Sequence, residues 1–338
     1  MVNILAIESS CDETAAAVVS DGRLVRSNII ASQAELHGQY GGVVPEIASR
    51  SHLQAIVPVV EEALSAASLG FSQIGAVAVT SGPGLAGALL VGVSYAKALA
   101  MALDVPLIAV HHWQGHLSAV FLEHEVEFPF LALVVSGGHS GLVEAVSHGE
   151  YRLLGQSLDD AAGEAFDKIA RVLGLGYPGG PALERAAQNG APDAHNFPRA
   201  WLAPDSFDFS FSGLKSAVLN HLNRLRMSGH FLSEKEIADI AASAQEAICD
   251  VLSAKAIDAA GKLGLKTVAV VGGVAANARL RQLLRQRAGN VRVIWPSPLF
   301  CTDNAAMIGV AAWHKWQKGE FSSLALNADP REKLYSVI

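Results

Sequence analysis

His112 and His116 stand four residues apart, in a stretch whose continuation Leu117-Ser118-Ala119 suits a helix. Residues four apart share one helix face, so both imidazoles can take hold of one metal ion; the plainer alternative is two polar side chains at a helix start. Asp12 and Glu13 sit in a tight turn, Cys11-Asp12-Glu13-Thr14. Carboxylates there would repel a triphosphate but could accept a proton from an attacking amine, or simply face water. Ser136-Gly137-Gly138 follows the strand-like Val134-Val135, and its small residues let a ligand approach backbone closely, unless it is only a hairpin turn. Asn277 follows a second glycine loop and could bond a base or sugar, or cap the next helix. Asp303, just before Asn304-Ala305-Ala306-Met307, reads first as a helix cap.

The elements that must position these residues come in two similar sets. Ile4 to Ser10, a polar turn and Ala15 to Val19 make a first strand–turn–strand unit. Phe130 to Val135, the loop 136–140 and Gly141 to Ala145 make a second. Each is followed by an apolar strand that runs into a glycine loop and a helix: Ala76 to Gly84 with a helix from Leu85, and Thr267 to Asn277 with a helix through Leu284. From Ile4 to Ala76 is 72 residues and from Leu131 to Val268 is 137, so the second half holds extra chain between its matching elements. The surplus lies between Tyr151 and about Ile237, a stretch rich in helix signals. The expected fold is α/β: a duplicated actin/Hsp70/sugar-kinase-like fold, two α/β domains with a nucleotide cleft between them, glycine loops and helix starts offering amides to phosphate. The boundaries read as 1–128, then 129–325 with a helical insertion near 151–237, then a tail 326–338.

Composition narrows the options. Half the chain is hydrophobic (51%) and only 17% charged, which excludes disorder. A net charge of -7 is wrong for a protein that grips nucleic acid alone, so an RNA substrate needs a local patch or a partner. The arginines at 279, 281, 285 and 287, and a smaller group at 224 and 226, are the places for phosphate contacts, or else a solvated helix face. Three scattered cysteines fit a reducing compartment. Leu85 to Leu103 approaches membrane-spanning length but is interrupted by Gly87, Gly92, Ser94 and Lys97, so a buried helix is expected. The expected setting is the cytoplasm, with no membrane.

Taken together, several motifs resemble the tRNA threonylcarbamoyladenosine transferase family, long labelled as sialoglycoprotein endopeptidases. They are Ile7-Glu8-Ser9-Ser10-Cys11-Asp12-Glu13-Thr14, Tyr40-Gly41-Gly42-Val43-Val44-Pro45-Glu46, Gly82-Pro83-Gly84-Leu85 and His111-His112-Trp113-Gln114-Gly115-His116. Further on come Val135-Ser136-Gly137-Gly138-His139, Asp159 to Lys168, Tyr177 to Pro181, Phe209 to Lys215, Gly272-Gly273-Val274 with Asn277, and Cys301-Thr302-Asp303-Asn304. They occur in family order over nearly the whole chain. The peptidase label fits poorly: an H-E-x-x-H site needs a glutamate after its first histidine, and here that residue is Trp113.

The resemblance implies Asp303 as third ligand beside His112 and His116, for one divalent metal per chain. Such a donor set suits Fe(II) or Zn(II), with iron the expectation. It implies that Val134 to Gly138 hold a threonylcarbamoyl-adenylate donor, that Asp167 takes the ribose (otherwise pairing with Lys168 or Arg171) and that Gly180 lies under the nucleoside. The implied reaction passes the threonylcarbamoyl group to the exocyclic amine of the adenosine beside the anticodon, in tRNAs reading codons that begin with A, and releases AMP. Asp12 or Glu13 is the expected base. A smaller paralogous subunit, an ATPase subunit and a separate enzyme that makes the adenylate are implied partners. The rivals are a small-molecule kinase of the same fold, which leaves the histidine pair unexplained, and a non-catalytic nucleotide-binding scaffold, which has no use for a metal triad.

Overall fold

In a computed structural model describing residues 1–334, the first apolar run forms β1 (Asn3–Glu8), which turns into β2 (Glu13–Ser20) and β3 (Leu24–Ser32). With β4 (Ala76–Gly82) and β5 (Leu107–His111) they make a sheet ordered β3-β2-β1-β4-β5. Successive strand residues face opposite ways, and both faces here are apolar. Leu5, Ile7, Val77 and Val79 pack against Ile56 and Val60 of α2 (Pro45–Ala66) and Val93 and Ala96 of α3 (Ala86–Leu103). Ile4, Ala6, Ala76 and Ala78 pack instead against Ala306, Met307 and Val310 of α11 (Ala305–Gln317). The short α1 (Ala34–Gly38) follows β3, and α4 (His112–Ala119) starts where β5 ends.

A second sheet repeats the plan. β6 (Phe130–Val135), β7 (Ser140–Ser147), β8 (Glu150–Gln156), β9 (Thr267–Val271) and β10 (Arg292–Ile294) are ordered β10-β9-β6-β7-β8. In each sheet a hairpin is joined by a parallel strand from far along the chain. Ile4 pairs with Ala76 and Leu131 with Val268, so the element pairs whose spacing differs between the halves are parallel neighbours in their sheets. Between β8 and β9 lie α5 (Ala162–Leu173), α6 (Gly179–Ala187), α7 (Ser212–Met227) and α8 (Glu234–Leu263). After β9 come α9 (Ala278–Arg287) and the single-turn α10 (Pro298–Cys301). Two mixed sheets with covering helices are the duplicated α/β architecture that was expected.

The chain divides into two units: unit 1 holds Met1–Val126, Ser147–Tyr151 and the chain from Pro296, and unit 2 holds Glu127–Val146 and Arg152–Trp295. The sequence reading kept residues up to 325 in the second domain; α11 belongs to unit 1. Its apolar run covers the otherwise bare face of the first sheet, and a Cβ at Gly309 would come within 2.5 Å of Val19 Cγ2, so glycine permits the close approach. Leu326 and Ala328, from the expected tail, pack on the unit 1 core too; positions 335–338 of that tail lie outside the described residues. The helix α3 needs a smaller correction. By length and a mean hydropathy of 1.6 it could cross a membrane. Here Ala88, Leu89, Val93 and Ala96 are buried, while Leu90 (54% exposed) and Met101 (66%) face outward.

Candidate metal centre and glycine-loop site

α4 carries both histidines and begins without a conventional cap. His111 fills that place, its ring Nδ1 accepting from the Trp113 amide at 3.1 Å. One turn later, Gly115 lets α4 lie against α11: a Cβ there would stand 2.6 Å from Ile308 Cδ1. That approach brings the α4 histidines to Asp303, in the link from α10 to α11. Asp303 does not cap α11, as its position suggested; Asn304 does, its Oδ1 accepting from the Met307 amide at 3.1 Å. Asp303 Oδ1 lies 3.2 Å from His116 Nε2 and 3.6 Å from His112 Nε2. The candidate ligand atoms of His112, His116 and Asp303 all fall within 4.8 Å of one another, and the two rings stand edge to face with centroids 4.7 Å apart.

These side chains fit a metal ion on two observations. His116 is fully buried, yet neither ring nitrogen makes a hydrogen bond among the described residues, a costly state unless something else takes the nitrogen lone pair. His112 is oriented from behind: its Nδ1 is 3.1 Å from Glu8 Oε2 and 3.2 Å from Ser10 Oγ. A carboxylate on one imidazole nitrogen turns the other toward the metal position. Glu8 is itself fully buried and held by the Thr80 hydroxyl and the Ser10 amide, both donating at 2.6 Å. Glu8 belongs to the motif that carried the family resemblance, but no role for it was read from the sequence; a glutamate ending an otherwise apolar strand was the available signal.

Charge explains the protonation pattern. Burial pulls the His112 pKa down, but Asp303 and Glu8 outweigh it and hold the ring at about 9. Burial pushes Glu8 up, and the His112 charge and hydrogen bond bring it below the ordinary carboxylate range. Glu13 is pushed up to about 9, first by burial and then by Asp12 and Asp303. Asp12, Glu13 and Asp303 therefore share one electronegative locus, a setting that favours a cation. The acidic turn is pinned from two sides. Ser32 Oγ donates to Glu13 Oε1 at 3.2 Å, and His52 of α2, fully buried, is 2.7 Å from Thr14 Oγ1 and 2.9 Å from the Cys11 carbonyl. Sequence reading missed His52 because nothing local marks a lone helix histidine as the brace of a distant turn.

Unit 2 brings the expected donor-binding residues only partly together. Val134 and Val135 are fully buried; Val134 lies in both the β7 and β9 ladders, and Val135, at the end of β6, is paired with β7. Ser136 is buried too: its amide donates to the His139 carbonyl at 2.8 Å, and its own carbonyl accepts from Gly163 at 3.2 Å. Gly137 and Gly138 remain at the exposed tip, with space for a Cβ around each. The glycines that are sterically required lie behind this tip. A Cβ on Gly163 would meet the Ser136 carbonyl at 2.5 Å, and Gly272, at φ +94°, would meet the Val135 carbonyl at 2.3 Å.

Asp167 receives the Gly179 amide on Oδ1 at 2.7 Å, fixing the start of α6 and with it Gly180, around which there is open space. Lys168, the alternative partner, is instead taken by Asp160 and Glu164. Asn277 caps α9, its Oδ1 accepting from the Leu280 amide at 3.0 Å; its Nδ2 donates to Gln245 at 2.9 Å, and the side chain is buried. Asp159, outside the expected set, clamps the loop 210–212 with four hydrogen bonds to Ser210, Phe211 and Ser212.

Fold and site together define an actin-like α/β protein with a candidate histidine–carboxylate metal site. Residues 24–310 match the model of one family, TsaD, tRNA N6-adenosine threonylcarbamoyltransferase. The chain is 58% identical over 332 residues to the Moorella thermoacetica tRNA N6-adenosine threonylcarbamoyltransferase, covering 97% of this chain and 96% of that protein. Against the Clostridioides difficile protein of the same name identity is 53%, covering 98% of each. The chain belongs to this family of tRNA-modifying acyltransferases. Among solved structures, T. kodakarensis HypF (TM-score 0.64, 16% identity, 96% of this chain and 49% of that one) shares the fold. So does component A of the Acidaminococcus fermentans (R)-2-hydroxyglutaryl-CoA dehydratase (TM-score 0.55, 16% identity, 94% and 99%).

Proposed function

We propose that the chain transfers a threonylcarbamoyl group from threonylcarbamoyl-adenylate to the N6 amine of the adenosine beside the anticodon, in tRNAs reading codons that begin with A. The observation that carries this reading is the closed cluster of His112, His116 and Asp303 beside the acidic turn, in a chain of that transferase family. Unit 2 supplies the exposed backbone at Gly137 and Gly138 for the anionic phosphoryl group, with Asp167 and Gly180 for the adenosine. Unit 1 supplies the three ligands. The ion, Fe(II) in preference to Zn(II), contributes Lewis acidity toward the carbamoyl carbonyl when bound.

The residues of the chain do the rest. Glu8 and Ser10 fix the His112 ring. The adenosine nitrogen forms a bond to the carbamoyl carbon, the bond from that carbon to the phosphate oxygen breaks, and AMP leaves. The amine gives up a proton, for which the turn provides two carboxyls. Either Asp12 or Glu13 takes it; burial, Asp12 and Asp303 raise the Glu13 pKa, and a bound cation would lower it again. An aromatic amine is a weak nucleophile, and holding donor and acceptor in register supplies much of the acceleration.

The reaction belongs in the cytoplasm and in an assembly. The outward face of α2 and α3, with Leu53, Val57, Leu90 and Met101 exposed, suits a smaller paralogous subunit, and an ATPase subunit and an adenylate-forming enzyme complete the set. The test supplies donor, unmodified tRNA and these partners, and follows labelled threonine into tRNA by nucleoside mass spectrometry. Threonylcarbamoyladenosine with stoichiometric AMP is expected. Turnover of ATP on a small alcohol without RNA, and no label in tRNA, would overturn the assignment.

A further inference from the structure

The arginines of α9 are not equivalent. Arg279 is bound through two nitrogens by Glu246 of α8, at 2.5 and 2.9 Å. Arg287 reaches Ser253 Oγ and the Asp250 carbonyl of α8, and pairs with the Asp250 carboxylate. These two stitch helix to helix. Arg281 and Arg285, four apart and therefore on one helix face, do something else. Both guanidiniums lie over the Trp295 ring, 5.0 and 4.7 Å from its centroid. Arg281 is further steered by the Ala275 carbonyl, to which its Nε donates at 2.6 Å. Arg285 is exposed and forms no ion pair among the described residues.

Position adds meaning to this pair. Trp295 is the first residue past the carboxyl end of β10, and β10, β9 and β6 run parallel as neighbours. Their carboxyl ends form one edge of the unit 2 sheet, the edge at which open α/β sheets bind ligands. The Ser136–Gly138 loop leaves the same edge from β6, two strand spacings away, about 10 Å across the sheet. Two guanidiniums, one helical turn apart and each held against the same aromatic ring, are preorganised for phosphate oxygens. On a chain of net charge -7, such a local concentration is what an RNA backbone requires.

We propose that Arg281 and Arg285, held over Trp295, form a phosphodiester-binding site for the RNA acceptor. The inference rests on the transferase reading, and it assigns the acceptor strand to the same sheet edge as the donor loop. The probe is unmodified tRNA, titrated against the full-length chain in a salt series. Arg281→Gln and Arg285→Gln should each weaken binding about five- to tenfold and make the log–log salt dependence shallower by about one. Binding of AMP should not change. Trp295→Leu, which keeps the charges but frees both side chains, should weaken tRNA binding less than either arginine variant. Unchanged affinity and salt slope in folded arginine variants would overturn the proposal, as would an equal loss in Arg226→Gln, whose exposed arginine lies on α7. Transfer of threonylcarbamoyl by the wild-type chain is scored separately, so failure of the parent reading appears there, whatever the arginine variants do to binding.

Discussion

Units 1 and 2 repeat one sheet plan yet build their sites from different materials. In unit 1 the candidate site is made of side chains: two imidazoles, buried Glu8 and three further carboxylates, drawn from β1, the acidic turn, α4 and the start of α11. In unit 2 the proposed donor site offers backbone at the glycine tip of β6, with Asp167 and Asn277 also holding helix starts in place. A side-chain site tolerates ordinary backbone but not a change of residue type. A backbone site tolerates a change at its tip, as far as folding is concerned, but not in the glycines packed behind it.

The sharpest way to break this contrast is to remove a ligand. His116→Ala should leave a folded chain, since the substitution removes a ring that makes no hydrogen bond among the described residues, and should lose most of its metal by elemental analysis. Transfer should fall by a factor of about a thousand, the equivalent of roughly 4 kcal/mol of Lewis-acid stabilisation. Chelation of the wild-type chain should reproduce that loss. Full metal content in the variant would remove His116 from the ligand set.

The backbone counterpart is Gly137→Val against Gly272→Ala. Gly137 has open space around its Cβ position and no positive φ, so valine there should cost less than about 0.5 kcal/mol of stability. Donor affinity should nevertheless fall by about a hundredfold, the loss expected when two hydrogen bonds to a charged phosphate are blocked. Gly272→Ala should do the reverse, costing about 3 kcal/mol because the left-handed backbone and the Val135 carbonyl both exclude a methyl group. Equal stabilities for the two variants, measured by denaturant titration, would dissolve the distinction.

Glu8→Gln sharpens the comparison from the side of unit 1. The amide keeps the shape but loses the charge facing His112, and metal affinity should fall by ten- to a hundredfold while saturating metal restores occupancy. A competition titration with a coloured chelator reads this directly. No change in affinity would leave Glu8 as a structural group only.

Legibility in the sequence followed the same division. Chemistry held in residue types was visible: the histidine pair, the acidic turn, and the repeated order of strand, turn and glycine loop, because apolar runs and i, i+4 spacing are local signals. What was hidden depended on distant packing. Asp303 and Asn304 compete on paper for one cap, and only the approach of α4 to α11 through Gly115 frees Asp303. Residues 296–325 read as a continuation of the second domain, since nothing local says which sheet face stands bare. Val134 and Val135 read as part of a loop, whereas they end β6, Val134 between two ladders and Val135 paired with β7.

Asn277 offers the smallest effect and the most direct choice between the two accounts of unit 2. Read from the sequence, it could touch the donor; in the fold, both ends of its amide are taken, by Leu280 and by Gln245. Asn277→Ala removes the cap of α9 and leaves the Gln245 oxygen without its partner, at a cost of about 1–2 kcal/mol. Asn277→Ser restores a capping oxygen and should recover part of that loss, though not the Gln245 contact. Donor binding, measured by calorimetry with AMP, should be the same in both variants if the buried amide serves only Leu280 and Gln245. A tenfold loss of AMP affinity with stability unchanged would show that the amide reaches the ligand after all. That result would mean the backbone site of unit 2 recruits side chains as unit 1 does, and the contrast would then be one of degree.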